Sequence, residues 1–314
     1  MRVIEYSYPQ KTNTKDLAVA LGYFDGVHLG HRKLLSVLTK EAKEKGLTPC
    51  VFTFAENPSK TKKTQSTLYN NQDKISILEE IGIEILILAS FDSIRSLTPN
   101  DFVEKVLIEA LSAQICVVGY NFRFGYKAMG DANMLSEIMI KNNKSALIVD
   151  EHTVKGKTVS STEIRRLIER GAIEDANALL GLPYFLEGRV ERGLGLGRSF
   201  GFPTINTPVR DGSPLQNGVY RSAVRIDGLL FTGITNIGRC PTVEKREVHA
   251  ETLIANFDGD LYGKEVRIYL LEYLREEKQF TSVDELREQI YKDRDLSIEK
   301  NGDLKWLATG LNSL

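Results

Sequence analysis

Cysteine is scarce and scattered in this chain: three residues in 314, at Cys50, Cys116 and Cys240, and no CxxC pair among them. That spacing excludes a disulfide framework and a zinc knuckle, and it predicts buried, reduced thiols. A surplus of either charge is missing too, with 41 basic residues against 42 acidic ones. Bulk electrostatic attachment to nucleic acid or to an anionic membrane is therefore not expected, although local basic sites remain open. No apolar run is long enough to span a bilayer, and the opening stretch MRVIEYSYPQKTNTKDL has no apolar core of signal-peptide length. A soluble, cytoplasmic protein is expected, with no obligate protein partner evident. Short-period repeats and low-complexity tracts are also absent. What remains is an ordinary globular composition, 42% hydrophobic and 26% charged, over a length that suits two domains.

The two halves differ in periodicity. Up to about residue 182, short apolar runs alternate with helical patterns. DLAVALGYF (16–24) ends in a glycine-containing turn, and HRKLLSVLTKEAKEKG follows with Leu34, Leu35, Leu38 and Ala42 on one face and Gly46 as its C-cap. TPCVFTF (48–54), IEILIL (83–88), ICVVG (115–119) and ALIVD (146–150) read as further strands. Helices are predicted around 72–81, from Thr98–Pro99 with Asp101 in the first turn, and from about 131. Five strands separated by helices imply a parallel sheet covered on both faces, whose ligands sit at the carboxyl ends of the strands. A capped helix at 160–171 and AIEDANALLG lead to the break at Gly181-Leu182-Pro183, which places a domain boundary near 182–185. Beyond it FLEGRVE, VYRSAVRI, LLFTGITNI, AETLIANF and VRIYLLEYL, separated by Gly, Asp-Gly and Asn-Gly turns, suggest a small antiparallel barrel. Only SVDELREQIYKD (282–293) reads as clearly helical there.

The densest chemical pattern in the first half is Gly22-Tyr23-Phe24-Asp25-Gly26-Val27-His28-Leu29-Gly30-His31, where the first strand turns into the first helix. Glycines let the backbone approach a phosphate closely, and a helix N-terminus adds donors and positive potential. The two imidazoles, three positions apart, project from one side of the turn, where they can bond a polyphosphate and stabilise charge on a leaving pyrophosphate. An HxxH pair is also half of a metal site, but no nearby His or Cys completes one, and two of only four histidines fall in this turn. Ser160-Ser161-Thr162-Glu163 alone is a capping box. Asn121 follows the fourth strand at the ligand edge; Phe122 and Phe124 face either a ligand or the core.

In the second half the informative stretch is Gly195-Leu196-Gly197-Arg198-Ser199-Phe200-Gly201-Phe202-Pro203-Thr204-Ile205-Asn206. A loop with three glycines can fold over phosphates, although such a loop is weak evidence by itself. Thr204 and Asn206, two apart in an extended segment, share a face, so their side-chain oxygens can converge on one Mg²⁺. The alternative is a Pro-Thr turn with a solvated Asn.

At these residues the chain resembles a known family. HxGH after a GxFD turn on a Rossmann-like sheet looks like the nucleotidylyltransferase superfamily. GYFDGVHLGHRKLL and VVGYNFRFG resemble the FAD synthetase module of prokaryotic bifunctional riboflavin kinase/FAD synthetases. The second stretch resembles that family's GRxxGFPTxN element; NIGRCPT (236–242) and LREEKQF (274–280) resemble its NIGxxPT and LRxExxF elements. The resemblance runs from about residue 15 to about 293. It implies an α/β adenylyltransferase domain at 1–183, then a small antiparallel barrel kinase domain at 184–314. The implied activities are phosphorylation of riboflavin to FMN and adenylylation of FMN to FAD, with ATP as co-substrate and Mg²⁺ as cofactor in both.

By the same resemblance, ATP in the first domain meets Gly22, Phe24, Asp25, Gly26, His28, Gly30 and His31, with Ser160, Ser161, Thr162 and Arg165 matching the SSTxxR loop. His28, His31 and Arg165 take catalytic roles, and Asn57, Asn121, Phe122 and Phe124 face the flavin. In the second domain Gly195, Gly197, Arg198, Gly201, Pro203 and Thr204 hold ATP, Thr204 and Asn206 hold Mg²⁺, Glu251 is the general base, and Arg275 holds the flavin product. Arg275 could instead form a surface ion pair, and His249 reads as structural.

Three positions depart from the family pattern. Members often show Pro-His-Pro where this chain has Glu56-Asn57-Pro58, and many have an Arg near 128, where this chain has Ala128 beside Lys127. Three readings follow: a bifunctional enzyme, a kinase whose adenylyltransferase half is impaired, and a non-catalytic flavin- or nucleotide-binding regulator. Intact His28, His31, Thr204, Asn206 and Glu251 weigh against the third.

Overall fold

Leu17–Leu21 is apolar and buried at every position because it lies mid-sheet between two neighbours, with helices over both faces. The computed structural model describes residues 1–56, 66–193, 201–239 and 248–300. The chain divides into two compact units: Met1–Gln65 with Tyr69–Ser161, and Ser66–Leu68 with Thr162–Leu314.

The first unit is built on strands β1 (Arg2–Tyr6), β2 (Leu17–Leu21), β3 (Thr48–Phe54), β4 (Ile85–Ala89), β5 (Ala113–Gly119) and β8 (Ser145–Val149). Two short ribbons, β6 (Arg123–Phe124) with β7 (Gly130–Asp131) and β9 (Thr153–Val154) with β10 (Lys157–Thr158), complete its strands. The main sheet runs β1-β4-β3-β2-β5-β8, parallel throughout. Six strands form where the sequence shows five. β1 escapes notice because it is an edge strand with only Tyr6 buried, so it carries no apolar run. From β2 the chain builds outward through β3 and β4 and then crosses back to β5 on the other side. The carboxyl ends of β2 and β5 therefore flank the switch point, where such sheets open a crevice.

Helix α1 (Leu29–Lys45) buries Leu34, Leu35, Leu38 and Ala42 and stops at Gly46, whose left-handed backbone (φ 64°) closes the C-cap. Helix Asn71–Glu80 starts on a reciprocal capping box between Asn70 and Asp73. The predicted helix at Thr98 is capped by that residue, but after Pro99–Asp101 it widens into a π-helical stretch, Phe102–Ala110. Cys50 and Cys116 are free thiols buried on either side of Val19, and burial pushes the Cys116 thiol up to about 12. Cys240 lies outside the described residues.

The second unit is an antiparallel sheet of β11 (Phe185–Arg189), β12 (Thr204–Pro208), β13 (Gly218–Ile226), β14 (Leu229–Arg239), β15 (Val248–Ile254) and β16 (Glu265–Arg275), in the order β11-β16-β13-β14-β15-β12. A lone antiparallel bridge, Glu191 to Asn206, brings the chain beyond β11 against β12 and nearly closes the barrel. Inside it the Thr235 hydroxyl meets those of Ser222 at 2.8 Å and Thr252 at 2.9 Å, so these buried polar groups satisfy one another. Helix Val283–Glu299, longer than the predicted 282–293, packs on β13 and β14 and donates from Ser297 Oγ to Gly233 O. Segment Ser66–Leu68 belongs here because Tyr184 Oη donates to Leu68 O at 3.0 Å and Arg210 Nη2 donates to it at 2.7 Å.

Candidate functional site

The first site grows from the turn after β2. Phe24, Gly26 and Val27 all have positive φ (52°, 85° and 41°), which folds the backbone tightly and presents His28 as the N-cap of α1. The Ser161 hydroxyl donates to Asp25 O at 2.8 Å and ties the Ser160-Ser161 segment to the turn. A cavity of about 770 Å³ opens at this point. Gly22, Phe24, His28, Gly30, His31, Asn121, Phe122, Phe124, Ser160 and Ser161 line it, and so does Ala128. Asp25 and Gly26, also expected at the nucleotide, are not among its lining residues. Thr162 and Arg165 belong to the second unit, where Arg165 donates to Ser66 O at 3.0 Å and to Thr162 Oγ1 at 3.2 Å. Asn57 lies outside the described residues.

The two imidazoles stack, ring centres 3.7 Å apart and 14° from parallel. His28 Nδ1 accepts from the His31 backbone N–H at 3.3 Å, so the ring proton resides on Nε2. Burial lowers the His28 pKa to about 4. Burial also holds His31 well below the ordinary imidazole range, assisted by His28 and Lys74. Both rings are thus neutral donors near neutral pH. His31 Nδ1 is buried with no hydrogen-bond partner among the described residues. Gly30 allows this packing: a Cβ there would come within 3.3 Å of the His28 ring.

Away from the turn the cavity wall is aromatic. Phe122 and Phe124 stack at 5.6 Å, Phe124 packs on Phe102 at 5.7 Å, and Phe54 meets Phe91 edge-on at 5.2 Å. One cavity therefore joins a donor-rich turn to an apolar slot suited to a planar ring system. Phe52, Phe54, Phe91 and His152 also line it and were not singled out from sequence. Phe52 and Phe54 come from β3, Phe91 from beyond β4 and His152 from beyond β8, and only the sheet brings them together.

The second unit has two adjoining cavities. One, of about 300 Å³, is lined by Gly193, Pro203, Thr204, Asn206 and the 257–262 segment; the other, of about 320 Å³, by Thr204, Asn236, Glu251, Arg275, Phe280 and Asp293 among others. Thr204 lines both. Strand register sets Asn206 and Asn236 on either side of Glu251, and Thr204 Oγ1 donates to Glu251 Oε1 at 2.8 Å. The Asn206 amide packs so tightly against Gly193 that a Cβ there would overlap it. Asn236 Oδ1 is buried with no partner among the described residues, and its Nδ2 donates to Glu277 at 3.3 Å. Arg275 lines the second cavity with its guanidinium held by Asp293, at 2.8 and 3.1 Å, so its ion pair is with the helix and not with a neighbouring glutamate. Gly201, at φ 88°, leads into this region. Gly195, Gly197 and Arg198 lie outside the described residues.

Thr204 and Asn206 supply two neutral oxygen donors on one strand face, a set that fits Mg²⁺ completed by phosphate and water. No cluster of three or more His, Cys, Asp or Glu side chains suited to a metal occurs among the described residues. No helix among them is long and apolar enough to cross a membrane.

Comparison with known proteins separates the same two regions. The family model described as FAD synthetase matches residues 10–163, and that described as riboflavin kinase matches residues 180–299. The chain is 33% identical over 317 residues to the bifunctional riboflavin kinase/FMN adenylyltransferase of Bacillus subtilis, covering 97% of this chain and 100% of that one. It is 33% identical over 282 residues to the protein of the same name from Escherichia coli K12, covering 88% and 90%. A crystal structure described as a macrolide-efflux protein from Streptococcus pneumoniae superposes with a TM-score of 0.82 at 30% identity, covering 95% of this chain and 99% of that one.

Proposed function

This chain belongs to the bifunctional riboflavin kinase/FMN adenylyltransferase family, and on that premise we propose that it phosphorylates riboflavin to FMN in its second unit and adenylylates FMN to FAD in its first. The observation that carries the reading is that each motif lines a cavity of its own, with donors at one side and room for a flavin at the other. The efflux description belongs to the S. pneumoniae protein, and none of the three cavities calls for it.

In the first unit an FMN phosphate oxygen attacks the α-phosphorus of ATP and pyrophosphate leaves. His28 Nε2–H, the N-terminal amides of α1 and the Ser160 hydroxyl bind the departing phosphates, Ser161 being held on Asp25 O, while Asn121 and the Phe122 and Phe124 rings orient the flavin. No covalent intermediate is needed, so positioning and preset donors carry the rate. Neutral imidazoles suit this task because they hold the phosphates without exchanging protons with them.

In the second unit ATP occupies the cavity lined by Asn206 and the 257–262 segment, and riboflavin the one lined by Glu251 and Arg275, with Thr204 between them. Glu251 takes the proton from the ribityl 5′-hydroxyl as that oxygen attacks the γ-phosphorus and ADP leaves. Thr204, by donating to Oε1, fixes the carboxylate toward the second cavity. Thr204 and Asn206 would hold Mg²⁺, which when bound neutralises phosphate charge. Arg275, braced by Asp293, lines the flavin side. The substrates are riboflavin, FMN and ATP, and the cytoplasm is the expected place of action.

The test is incubation with riboflavin, ATP and Mg²⁺, followed by chromatography of the flavins. FMN should rise first and FAD follow. FMN without FAD would favour the second reading, an impaired first site, for which Ala128 on the cavity wall is the structural motive. Absence of both products would refute the proposal.

A further inference from the structure

Beneath the phosphate-binding turn the first unit buries a lysine. Lys74, in helix Asn71–Glu80, is 3% exposed, and its ammonium lies 4.8 Å from the centre of the Tyr23 ring. Its contact in the turn is the Tyr23 ring; the Asp25 carboxylate, also 3% exposed, and His31 of α1 lie within its electrostatic range. Asp73, on its own helix, is engaged by the Asn70 backbone N–H at 3.0 Å. Burying an ammonium is costly, and an apolar side chain of similar length would fill the space without that cost. A charge kept there contributes something other than stability. The ring it meets and the two titratable groups it senses all belong to the motif at the first cavity, whereas Lys74 does not line that cavity.

We propose that Lys74 is a positioning residue for adenylyl transfer: it sets a fixed positive charge behind the Gly22–His28 turn and acts on the nucleotide through Tyr23, Asp25 and His31, without touching it. Three consequences follow from the geometry. Its charge offsets that of the Asp25 carboxylate, which would otherwise repel an incoming polyphosphate. Its contact with the Tyr23 ring braces the turn that presents His28. It also opposes protonation of His31, so that ring remains a neutral donor. Burial lowers the Lys74 pKa to about 8, with Asp25 opposing the shift, so the ammonium is still charged at neutral pH and is lost as pH rises through that value.

The inference rests on the adenylyltransferase reading of this site, and its test separates the two. Lys74→Met and Lys74→Arg are made in the full chain. Two quantities are measured: kcat/KM for ATP in FAD formation from FMN across pH, and the four histidine titrations by NMR. In Lys74→Met, kcat/KM for ATP should fall about tenfold or more, the wild-type decline above about pH 8 should vanish, and the His31 titration should move up. Lys74→Arg should restore all but a small part of kcat/KM and leave His31 where it is in wild type. Riboflavin phosphorylation should be unchanged in both variants. Equal losses in Met and Arg, or a His31 titration that does not respond to Lys74→Met, would overturn the assignment. If the wild type forms no FAD, the adenylyltransferase reading falls, while the His31 titration still decides whether Lys74 acts on the turn.

Discussion

Replacing His28 by Asn should remove a specific acid sensitivity from the first unit while keeping the cap on α1. The Asn side-chain oxygen can accept from the His31 N–H as Nδ1 does now, but it cannot titrate. In the folded protein the His28 pKa is lowered from 6.5 to about 4, chiefly by burial. The folded state therefore binds fewer protons than the unfolded one between those values. Its stability is fully present above the unfolded pKa and is lost as pH falls toward about 4. At 1.36 kcal/mol per pH unit, the loss amounts to about 3 kcal/mol from this one ring. His31 acts in the same direction and remains in the variant. Hydrogen exchange of β2 and β3 peptides reads the opening free energy of the first unit apart from the second. From neutral pH to about pH 4, wild-type protection should fall relative to His28→Asn by about 3 kcal/mol, roughly two orders of magnitude in exchange rate. A constant offset between the two proteins is expected from the altered cap and is harmless. If their protection falls in parallel with pH, His28 is not held neutral by burial, and the role proposed for it as a neutral phosphate donor fails with it.

Other expected outcomes concern the second unit. Glu251→Gln should reduce riboflavin phosphorylation by about 10²- to 10⁴-fold while FMN still goes to FAD, measured by separate flavin assays; equal loss of both would refute independent sites. Thr204→Val keeps the volume but removes the 2.8 Å bond to Glu251, so kcat for phosphorylation should drop about tenfold or more in steady-state assays. Gly218→Ala would place a Cβ 2.6 Å from Arg275 O at φ 144°, and should destabilise the second unit by about 2–4 kcal/mol in thermal unfolding. An unchanged Tm would mean that the start of β13 yields more readily than its contacts imply.

Much of the first site was legible because its parts are close in sequence. The turn from Gly22 to His31 needs only ten residues to combine a strand end, a positive-φ turn and a helix N-terminus, and local backbone chemistry fixes all three. Thr204 and Asn206 were readable for a similar reason, since alternation along one strand places them on one face. β1 was not legible, because an edge strand with one buried residue leaves no apolar run. The aromatic wall was only half legible. Phe122 and Phe124 stood beside a motif, whereas Phe54 ends β3 and Phe91 follows β4, and they gain meaning only once those strands are neighbours.

By itself the sequence determined the two architectures, the order of the two halves and the residue types at each motif, because periodicity and turn chemistry are local properties. Tertiary structure alone decided the protonation and partnership of those residues. That His28 and His31 stack and remain neutral follows from burial, which no local pattern encodes. That Glu251 receives the Thr204 hydroxyl follows from the register of strands about 40 residues apart in the chain. That Arg275 is braced by Asp293 depends on where a helix lands on the barrel. Lys74 makes the point most sharply: in the sequence it is one lysine among many on a surface-like helix, and its position behind the turn exists only because the sheet sets that helix against it.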